Sequence, residues 1–166
     1  IGFGAESASQ EMLDKMKKGI TVSQIEQAVM LCKKNNIESF LVFIIGLPWE
    51  TKETIKETAR FIKKTKPSFI EINVAYPLPG TEFYNFGKKH DLFCEDDLIG
   101  HDYSSPLVRS FAISTEDLCE MRKKMLRDFY LRPGYILQRI AKFESPLVAL
   151  NYFRYGIRLM KNTLLG

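Results

Sequence analysis

Three short segments of this 166-residue chain combine glycine or proline with a polar side chain at the end of an apolar run. They are Gly4–Ser7, Gly46–Glu50 and Ala75–Gly80. Glycine allows close backbone approach to a flat ligand or unusual backbone angles, and the carboxylates of Glu6 and Glu50 can accept hydrogen bonds from sugar hydroxyls. A phosphate site would need a longer glycine-rich loop, often with Lys, opening a helix. Together the segments favour a nucleoside ligand, although each one alone is also typical of a tight turn with a helix-capping acid.

The elements around these segments alternate between strand patterns and helix patterns. Apolar runs and period-2 alternation predict strands ending at Ala5 and spanning Phe40–Ile45 and Phe69–Tyr76. The run at Phe40–Ile45 lacks polar alternation, as expected of a strand buried on both faces. Helical spacing and capping residues predict helices at 9–16, 21–35, 51–65 and 81–90. Since ligands bind beyond the carboxyl ends of parallel strands, we expect the three polar segments to meet at one rim.

The predicted fold class is α/β, a partial TIM-type βα barrel with parallel strands followed by a mostly helical extension. A closed eight-stranded barrel takes about 250 residues, so three βα units cannot close one. We therefore divide the chain into half of a barrel at 1–90 and the extension at 91–166. The first residues read as the end of a strand, as expected of a chain that continues upstream.

Within the extension, the pattern predicts one short strand and three helices. Leu107–Ile113 has strand character, Ser114 begins a helix, and Pro133 and Pro146 open two more. The last helix carries one apolar stripe, formed by Leu147, Leu150, Phe153, Ile157, Met160 and Leu164.

Two polar residues of the third strand are candidates for contact with a substrate or cofactor. By strand parity Glu71 and Asn73 face the barrel interior. A satisfied polar pair inside a barrel explains them equally well, so a catalytic role and a structural role both stay open. Cys32, Cys94 and Cys119 are spaced too widely for a disulfide framework or a compact metal site, and Cys32 shares an apolar helical stripe.

Charge is distributed unevenly along the chain. Residues 121–166 hold 10 Lys or Arg against 2 Asp or Glu, although the net charge of the whole chain is only +4. Such a basic segment can face an acidic partner domain, a membrane surface or nucleic acid, or can form a solvated helix face. With neither a hydrophobic run of about 18 residues nor a leader pattern, a cytoplasmic location is the default prediction.

The three segments and their surroundings resemble a known family. The sequences GFGAESAS at 2–9, FIIGLPWET at 43–51 and YPLPGTEFY at 76–84 are similar to the fourth, fifth and sixth strand ends of radical S-adenosylmethionine enzymes. They are most similar to the subgroup that often has an upstream cobalamin-binding domain, including the anaerobic magnesium-protoporphyrin cyclase type. The stretch 129–137, followed by Ser145-Pro146, resembles the helical extension of that subgroup.

The resemblance implies roles for individual residues. Glu6 and Ser7 would lie near the ribose or methionyl part of S-adenosylmethionine. Ile44, Gly46 and Glu50 match the later positions of the family's G-x-I-x-G-x-x-x-E element, which supports the adenine site. At the third strand, Ala75 and Tyr76 would offer backbone contacts to adenine. Val42 replaces the first glycine of that element, and Trp49 replaces the glycine of the common L-P-G-E-T form.

The resemblance also implies the cofactors and the class of reaction. A four-iron, four-sulfur cluster would be held by a C-x-x-x-C-x-x-C loop, which is not found in these 166 residues, and cobalamin would be held by an upstream domain. The implied enzyme is an oxidoreductase or methyltransferase that acts on a small-molecule or lipid-like substrate, and this fragment alone would be inactive. Two alternatives stay open: a non-catalytic nucleoside- or partner-binding module, and an RNA-modifying enzyme, with nucleic acid ranked below a membrane or partner domain.

Overall fold

The computed structural model describes residues 1–98, 106–141 and 154. The described elements are β1 (Gly2–Glu6), α1 (Gln10–Lys15), α2 (Val22–Lys34), β2 (Phe40–Ile45), α3 (Lys52–Thr65), β3 (Phe69–Val74), α4 (Glu82–Lys89), a 3-10 helix (Glu95–Leu98), α5 (Thr115–Tyr130) and α6 (Pro133–Ala141). The chain forms two compact units, Ile1–Arg122 and a second that begins at Lys123, within α5. The order of strands and helices over residues 1–90 confirms the predicted succession of βα units.

The three strands form one parallel sheet in the order β1-β2-β3. Gly2 pairs with Phe40, and Phe40 pairs with Phe69, so the strands run in register from the same end. The pairing of β1 shifts between Gly4 and Glu6, where the strand bulges. This parallel sheet confirms the α/β class and places the carboxyl ends of all three strands at one rim.

The two faces of the sheet differ in burial. Leu41, Phe43 and Ile45 of β2 are buried, whereas the alternate residues Phe40, Val42 and Ile44 are only half-buried. The prediction that β2 is buried on both faces is therefore wrong for the structure described. The half-buried face is the one that would line a barrel interior, and a sheet of three strands is too narrow to curl over and cover it.

The helices begin where capping side chains satisfy the first free backbone N–H groups. Thr21 and Thr51 form capping boxes with Gln24 and Thr54. In the same way Thr81 accepts a hydrogen bond from the backbone of Tyr84 at 3.1 Å. Ser114 does so from Asp117, also at 3.1 Å. Since an N-cap residue fixes the helix start, these contacts explain why the helix boundaries could be predicted closely.

The strand predicted at Leu107–Ile113 is wrong, because residues 106–114 contain no strand. Instead the backbone of this segment bonds to carbonyls of two separate loops. The N–H of Arg109 donates to Leu92 at 2.8 Å, and that of Phe111 donates to Pro48 at 2.8 Å. This segment therefore has the apolar composition of a strand, but its backbone makes single hydrogen bonds to loop carbonyls in place of a ladder with a neighbouring strand.

The remaining predictions for the extension have mixed outcomes. Helices starting after Ser114 and at Pro133 are confirmed as α5 and α6. The helix predicted at Pro146, with its apolar stripe, lies outside the described residues apart from Arg154. No helix in the part of the chain that the structure describes is long and apolar enough to cross a bilayer.

Of the three cysteines, only Cys32 was given a predicted environment, an apolar helical stripe, and its burial confirms that prediction. Cys32 is buried in α2, Cys94 is exposed and Cys119 is half-buried. Among residues 1–98 and 106–141, no group of three or more His, Cys, Asp or Glu side chains is arranged to hold a metal ion.

Candidate functional site

A buried cluster at the rim of the sheet joins residues from two of the three predicted segments. Met12 of α1, Leu47 of the loop after β2, and Ala75 just after β3 are buried together. Half-buried apolar side chains pack against this cluster, namely Met16, Ile44, Trp49 and Phe83. The segments predicted to meet at one rim therefore do so at β2 and β3, and α1 connects them to the loop after β1.

The loop after β2 is built around a glycine in the left-handed region. Gly46 has φ +89°, and a Cβ there would lie 2.7 Å from Leu118 Cδ2 and 3.2 Å from Val74 Cγ1. Two roles were predicted for this glycine, close backbone approach to a flat ligand and an unusual backbone angle. The structure shows the unusual angle. Its missing side chain makes room for Leu118 of α5, so part of the extension packs directly on this loop.

Glu50 holds the same loop from the inside. Its carboxylate is 1% exposed and accepts a hydrogen bond from the backbone N–H of Gly46 at 2.6 Å. Burial raises the pKa of Glu50 to about 7, although backbone hydrogen bonds from Gly46 and Leu47 favour the charged form. Glu50 therefore shapes the loop, and its carboxylate is turned into the loop, away from solvent.

Glu6 ends β1 with a left-handed backbone and a side chain that turns back over the strand. Its φ is +61°, and its carboxylate forms an ion pair with Lys18 Nζ at 2.9 Å. A Cβ on Gly4 would lie 2.6 Å from Glu6 Oε1, so glycine is needed there for the carboxylate to reach its place. Lys18 follows α1 and has other lysines close by at positions 15 and 17, so no sequence pattern singles it out.

Ser7 lies beside Glu6 but faces away from the rim. Its side chain is 1% exposed, and its Oγ accepts a hydrogen bond from Ser9 N at 3.1 Å. The same oxygen lies 3.4 Å from Thr58 Oγ1 of α3. Of the two predicted ligand contacts in this loop, only Glu6 has a polar group near the surface.

The end of β3 is tied into the sheet and to the segment beyond α4. The N–H of Ala75 donates to the carbonyl of Ile45 at 2.7 Å. The hydroxyl of Tyr76 donates to the carbonyl of Leu98, also at 2.7 Å. These bonds fix the backbone that was predicted to lie beside adenine, and the Ala75 N–H is already used within the sheet.

Glu71 and Asn73 lie on the face that parity predicts. They pair with Val42 and Ile44 of β2, opposite the buried face of the sheet. Glu71 is exposed and Asn73 is half-buried. Both side chains are thus on the face that would line the barrel interior, with Asn73 nearer the rim.

Residues 110–117, in the first part of the extension, contact the loop after β2 and the start of α3. Ser110 Oγ donates to the carbonyl of Pro48 at 3.2 Å, next to the bond from Phe111 N. Lys52 at the start of α3 pairs with Asp117 of α5 at 2.5 Å. These partners are about sixty residues apart, and no local pattern marks them, so sequence reasoning missed them.

A cavity of about 360 Å³ opens between α1, the loop after β2 and α4. Its apolar lining is Met16, Leu47, Trp49, Phe83 and Phe86, and its edge carries Lys15, Lys17, Thr81 and Glu82. Trp49 packs edge-on against Phe86, with ring centroids 5.3 Å apart. Lys17 and Glu82 form an ion pair at 2.7 Å across the mouth. Trp49 stands where the common L-P-G-E-T form has glycine, so its indole ring adds to the apolar wall of this cavity.

Comparison with known proteins gives a family match and several relatives. The family model described as "Radical SAM superfamily" matches residues 1–62. An uncharacterised methyltransferase from Pyrococcus horikoshii is 31% identical over 148 residues, which are 89% of this chain and 32% of the relative. An anaerobic magnesium-protoporphyrin IX monomethyl ester cyclase from Rubrivivax gelatinosus is 27% identical over 137 residues, 82% of this chain and 24% of the relative.

A third relative matches a shorter part of this chain. A threonylcarbamoyladenosine tRNA methylthiotransferase from Xenopus laevis is 33% identical over 78 residues, 46% of this chain and 14% of the relative. The chain spans about a third or less of the length of these three relatives.

Proposed function

The chain belongs to the radical S-adenosylmethionine superfamily, and we propose that it forms the nucleoside side of the S-adenosylmethionine site in an iron-sulfur enzyme of the oxidoreductase or methyltransferase type. The observation that carries the proposal is the rim of the parallel sheet. There Ile44, Leu47 and Ala75 form an apolar wall beside a loop fixed by Gly46 and Glu50. In parallel α/β proteins this rim is where ligands bind.

The residues present fit the nucleoside and methionyl parts of the cofactor. In this proposal Ile44 and Ala75 give adenine an apolar surface, and the backbone at Tyr76 bounds it. Glu6 offers carboxylate oxygens to the ribose hydroxyls or to the methionyl ammonium, with Lys18 holding the carboxylate in place. Ser7, Gly46 and Glu50 shape the loops without touching the ligand.

The residues present do not fit the iron-sulfur cluster. Cys32 is buried within a helix, Cys94 is exposed and Cys119 is half-buried, and the described residues offer no cluster of metal ligands. We therefore assign the cluster ligands to the part of the full-length protein that precedes this chain. When bound there, the cluster would supply the electron that cleaves S-adenosylmethionine.

For the substrate, we propose only its chemical class and the face of the sheet that it meets. A small-molecule or lipid-like substrate would meet the face that carries Glu71 and Asn73. The cyclase relative supports the proposal that cobalamin is bound by an upstream domain. We further propose that residues 1–90 are barrel and 91–166 extension, that the enzyme is cytoplasmic, and that the basic stretch 121–166 meets a membrane surface or the upstream part of the chain.

The deciding experiment uses the full-length protein that contains this chain. It is reconstituted without oxygen with iron and sulfide and then given S-adenosylmethionine and a reductant. We expect 5′-deoxyadenosine to form, and we expect Glu6→Gln to raise the concentration of S-adenosylmethionine needed for half-maximal cleavage. Glu11→Gln, on the exposed side of α1, is the matched control. A reconstituted protein that neither binds nor cleaves S-adenosylmethionine would contradict the proposal.

A further inference from the structure

A threonine on α3 reaches across to the loop that follows β1. Thr58 is 2% exposed, and its Oγ1 accepts a hydrogen bond from the backbone N–H of Ala8 at 3.1 Å. The same oxygen lies 3.4 Å from Ser7 Oγ and 3.4 Å from the carbonyl oxygen of Thr54. A single buried hydroxyl therefore connects a helix to a loop fifty residues earlier in the chain.

The hydrogen bonds form a consistent chain of donors and acceptors. A hydroxyl has one proton and can accept two hydrogen bonds. Thr58 donates to Thr54 O and accepts from Ala8 N and from the Ser7 hydroxyl, while Ser7 in turn accepts from Ser9 N. Ser7, Ala8 and Ser9 are all buried, so water cannot replace a bond that is lost.

This loop needs such support because of its backbone. Glu6 has φ +61°, a conformation that side-chain-bearing residues adopt only where their surroundings hold them in it. Immediately after Glu6, Ser7 N donates to Ala5 O at 2.7 Å and closes a tight turn. The direction of the Glu6 carboxylate therefore depends on how firmly residues 7–9 are held.

The helix that carries Thr58 also begins at the other loop of the rim. α3 begins at Lys52, two residues after Glu50, and Thr51 between them caps the helix through Thr54. The loop after β2 is thus continuous with α3, and Thr58 fastens the loop after β1 to the same helix. Both loops take their position from one rigid element.

We propose that Thr58 is a positioning residue for S-adenosylmethionine binding, acting through the Glu6–Ser9 loop and not by contact with the ligand. This inference rests on the proposed function, since it presumes that Glu6 touches S-adenosylmethionine. A catalytic or binding group must be held to within about 0.5 Å of its working position by neighbours of this kind.

The test compares two buried threonines of the same helix. Thr65 is also 2% exposed, and its hydroxyl donates within the helix to Phe61 O at 2.8 Å. Thr58→Val and Thr65→Val each remove one helical hydrogen bond at nearly constant volume, but only the first removes the bond from Ala8. Thr58→Ser keeps the hydroxyl and serves as the rescue variant.

The full-length protein, reconstituted with iron and sulfide, is assayed for KM and kcat of S-adenosylmethionine cleavage and for amide hydrogen exchange in the peptide that contains Ala8 and Ser9. For Thr58→Val we expect KM to rise about tenfold, the effect of losing one buried hydrogen bond, with kcat little changed and exchange at residues 8–9 faster. Thr65→Val and Thr58→Ser should match the wild type.

Two outcomes would overturn the inference: a Thr58→Val protein with the KM of Thr65→Val, or unchanged exchange at residues 8–9. If Thr58→Val does not fold, Ser7→Ala breaks the same chain of bonds from the loop side, and an unchanged KM would again reject the role. If the wild type fails to bind S-adenosylmethionine, the proposed function itself is rejected. The exchange measurement then still decides whether Thr58 positions the loop.

Discussion

The carboxylate of Glu50 accepts a hydrogen bond from the backbone N–H of Gly46 at 2.6 Å inside a loop that is closed to solvent. A buried carboxyl is costly to ionise, and its pKa rises to about 7 from an ordinary value of 4.5. The loop therefore contains an acid that changes charge near neutral pH.

Replacing this acid should alter how stability depends on pH. Between about pH 4.5 and 7 the folded protein keeps a proton on Glu50 that the unfolded chain has released, so the free energy of unfolding falls as pH rises. The loss should reach about 3 kcal/mol and level off above pH 7. Glu50→Gln keeps an acceptor for Gly46 and cannot ionise, so it should be more stable than the wild type at pH 8 and lose this part of the pH dependence.

Urea denaturation at pH 5 and pH 8 measures both quantities. Glu116→Gln, an exposed carboxylate near the start of α5, controls for the general change in charge and should follow the wild type. An unchanged pH dependence in Glu50→Gln would show that Glu50 is not the acid responsible.

Gly46→Ala should destabilise the protein for two reasons that can be separated. Its φ of +89° disfavours any residue with a Cβ, and the added methyl would lie 2.7 Å from Leu118 Cδ2. We expect a loss of about 3 kcal/mol. Gly80 has φ +86° with open space around it, so Gly80→Ala should lose only about 1 kcal/mol, from the backbone alone.

The contact with Leu118 has its own check. In Gly46→Ala combined with Leu118→Ala, the close contact with Leu118 is removed and Val74 Cγ1, at 3.2 Å, stays near the added methyl. The loss in the double variant should therefore be smaller than the sum of the losses in the two single variants. Strict additivity, measured from denaturation midpoints, would place the cost in the backbone and not in the packing of α5 on the loop.

Gly4→Ala should change ligand binding more than stability. The new methyl would lie 2.6 Å from Glu6 Oε1 and 3.3 Å from Lys18 Nζ, both at the ends of flexible side chains that can move aside. Stability should change by less than about 1 kcal/mol, while the affinity of the full-length protein for S-adenosylmethionine falls several-fold because Glu6 is displaced. Gly2→Ala in the same strand meets only Phe40 Cδ1, at 3.9 Å, and is the control. Equal binding by both variants would argue against a ligand contact by Glu6.

The sequence predicted the elements of the fold well, because their signals are local. The strand at Phe40–Ile45 and the helix starts at Thr21, Thr51 and Thr81 depend on neighbouring residues and on capping hydroxyls. The parallel sheet and the common rim then follow from the repeated βα order.

The direction of individual polar side chains could not be predicted in this way. Ser7 and Glu50 stand at the rim, yet one turns to Thr58 and the other to Gly46. Nothing near Ser7 in the sequence marks a partner fifty residues away. The mistaken strand at Leu107–Ile113 has the same cause, since an apolar run does not reveal whether its backbone meets a neighbouring strand or single loop carbonyls.

Arg122 lies at the outer edge of β3. Phe69 N donates to Ser39 O and Ala75 N donates to Ile45 O, so the odd-numbered residues of β3 face β2. The carbonyl of Ile72 therefore points away from the sheet, and Arg122 Nε of α5 donates to it at 2.7 Å. Exposed strand edges invite pairing with other chains, and a charged side chain on the edge is one of the ways proteins prevent it.

Arg122→Met keeps the apolar stem of the side chain and removes the donor. We expect a loss of about 1–3 kcal/mol, because the Ile72 carbonyl loses a charged partner, and more self-association at high protein concentration because the edge of β3 is open. Arg122→Lys can restore one charged hydrogen bond, so its stability and its self-association should lie between those of the wild type and Arg122→Met. Arg127→Met, at an exposed position on α5, is the control for charge. Urea denaturation and light scattering measure the two effects. If Arg122→Met matches Arg127→Met in both, α5 does not protect the edge through this bond.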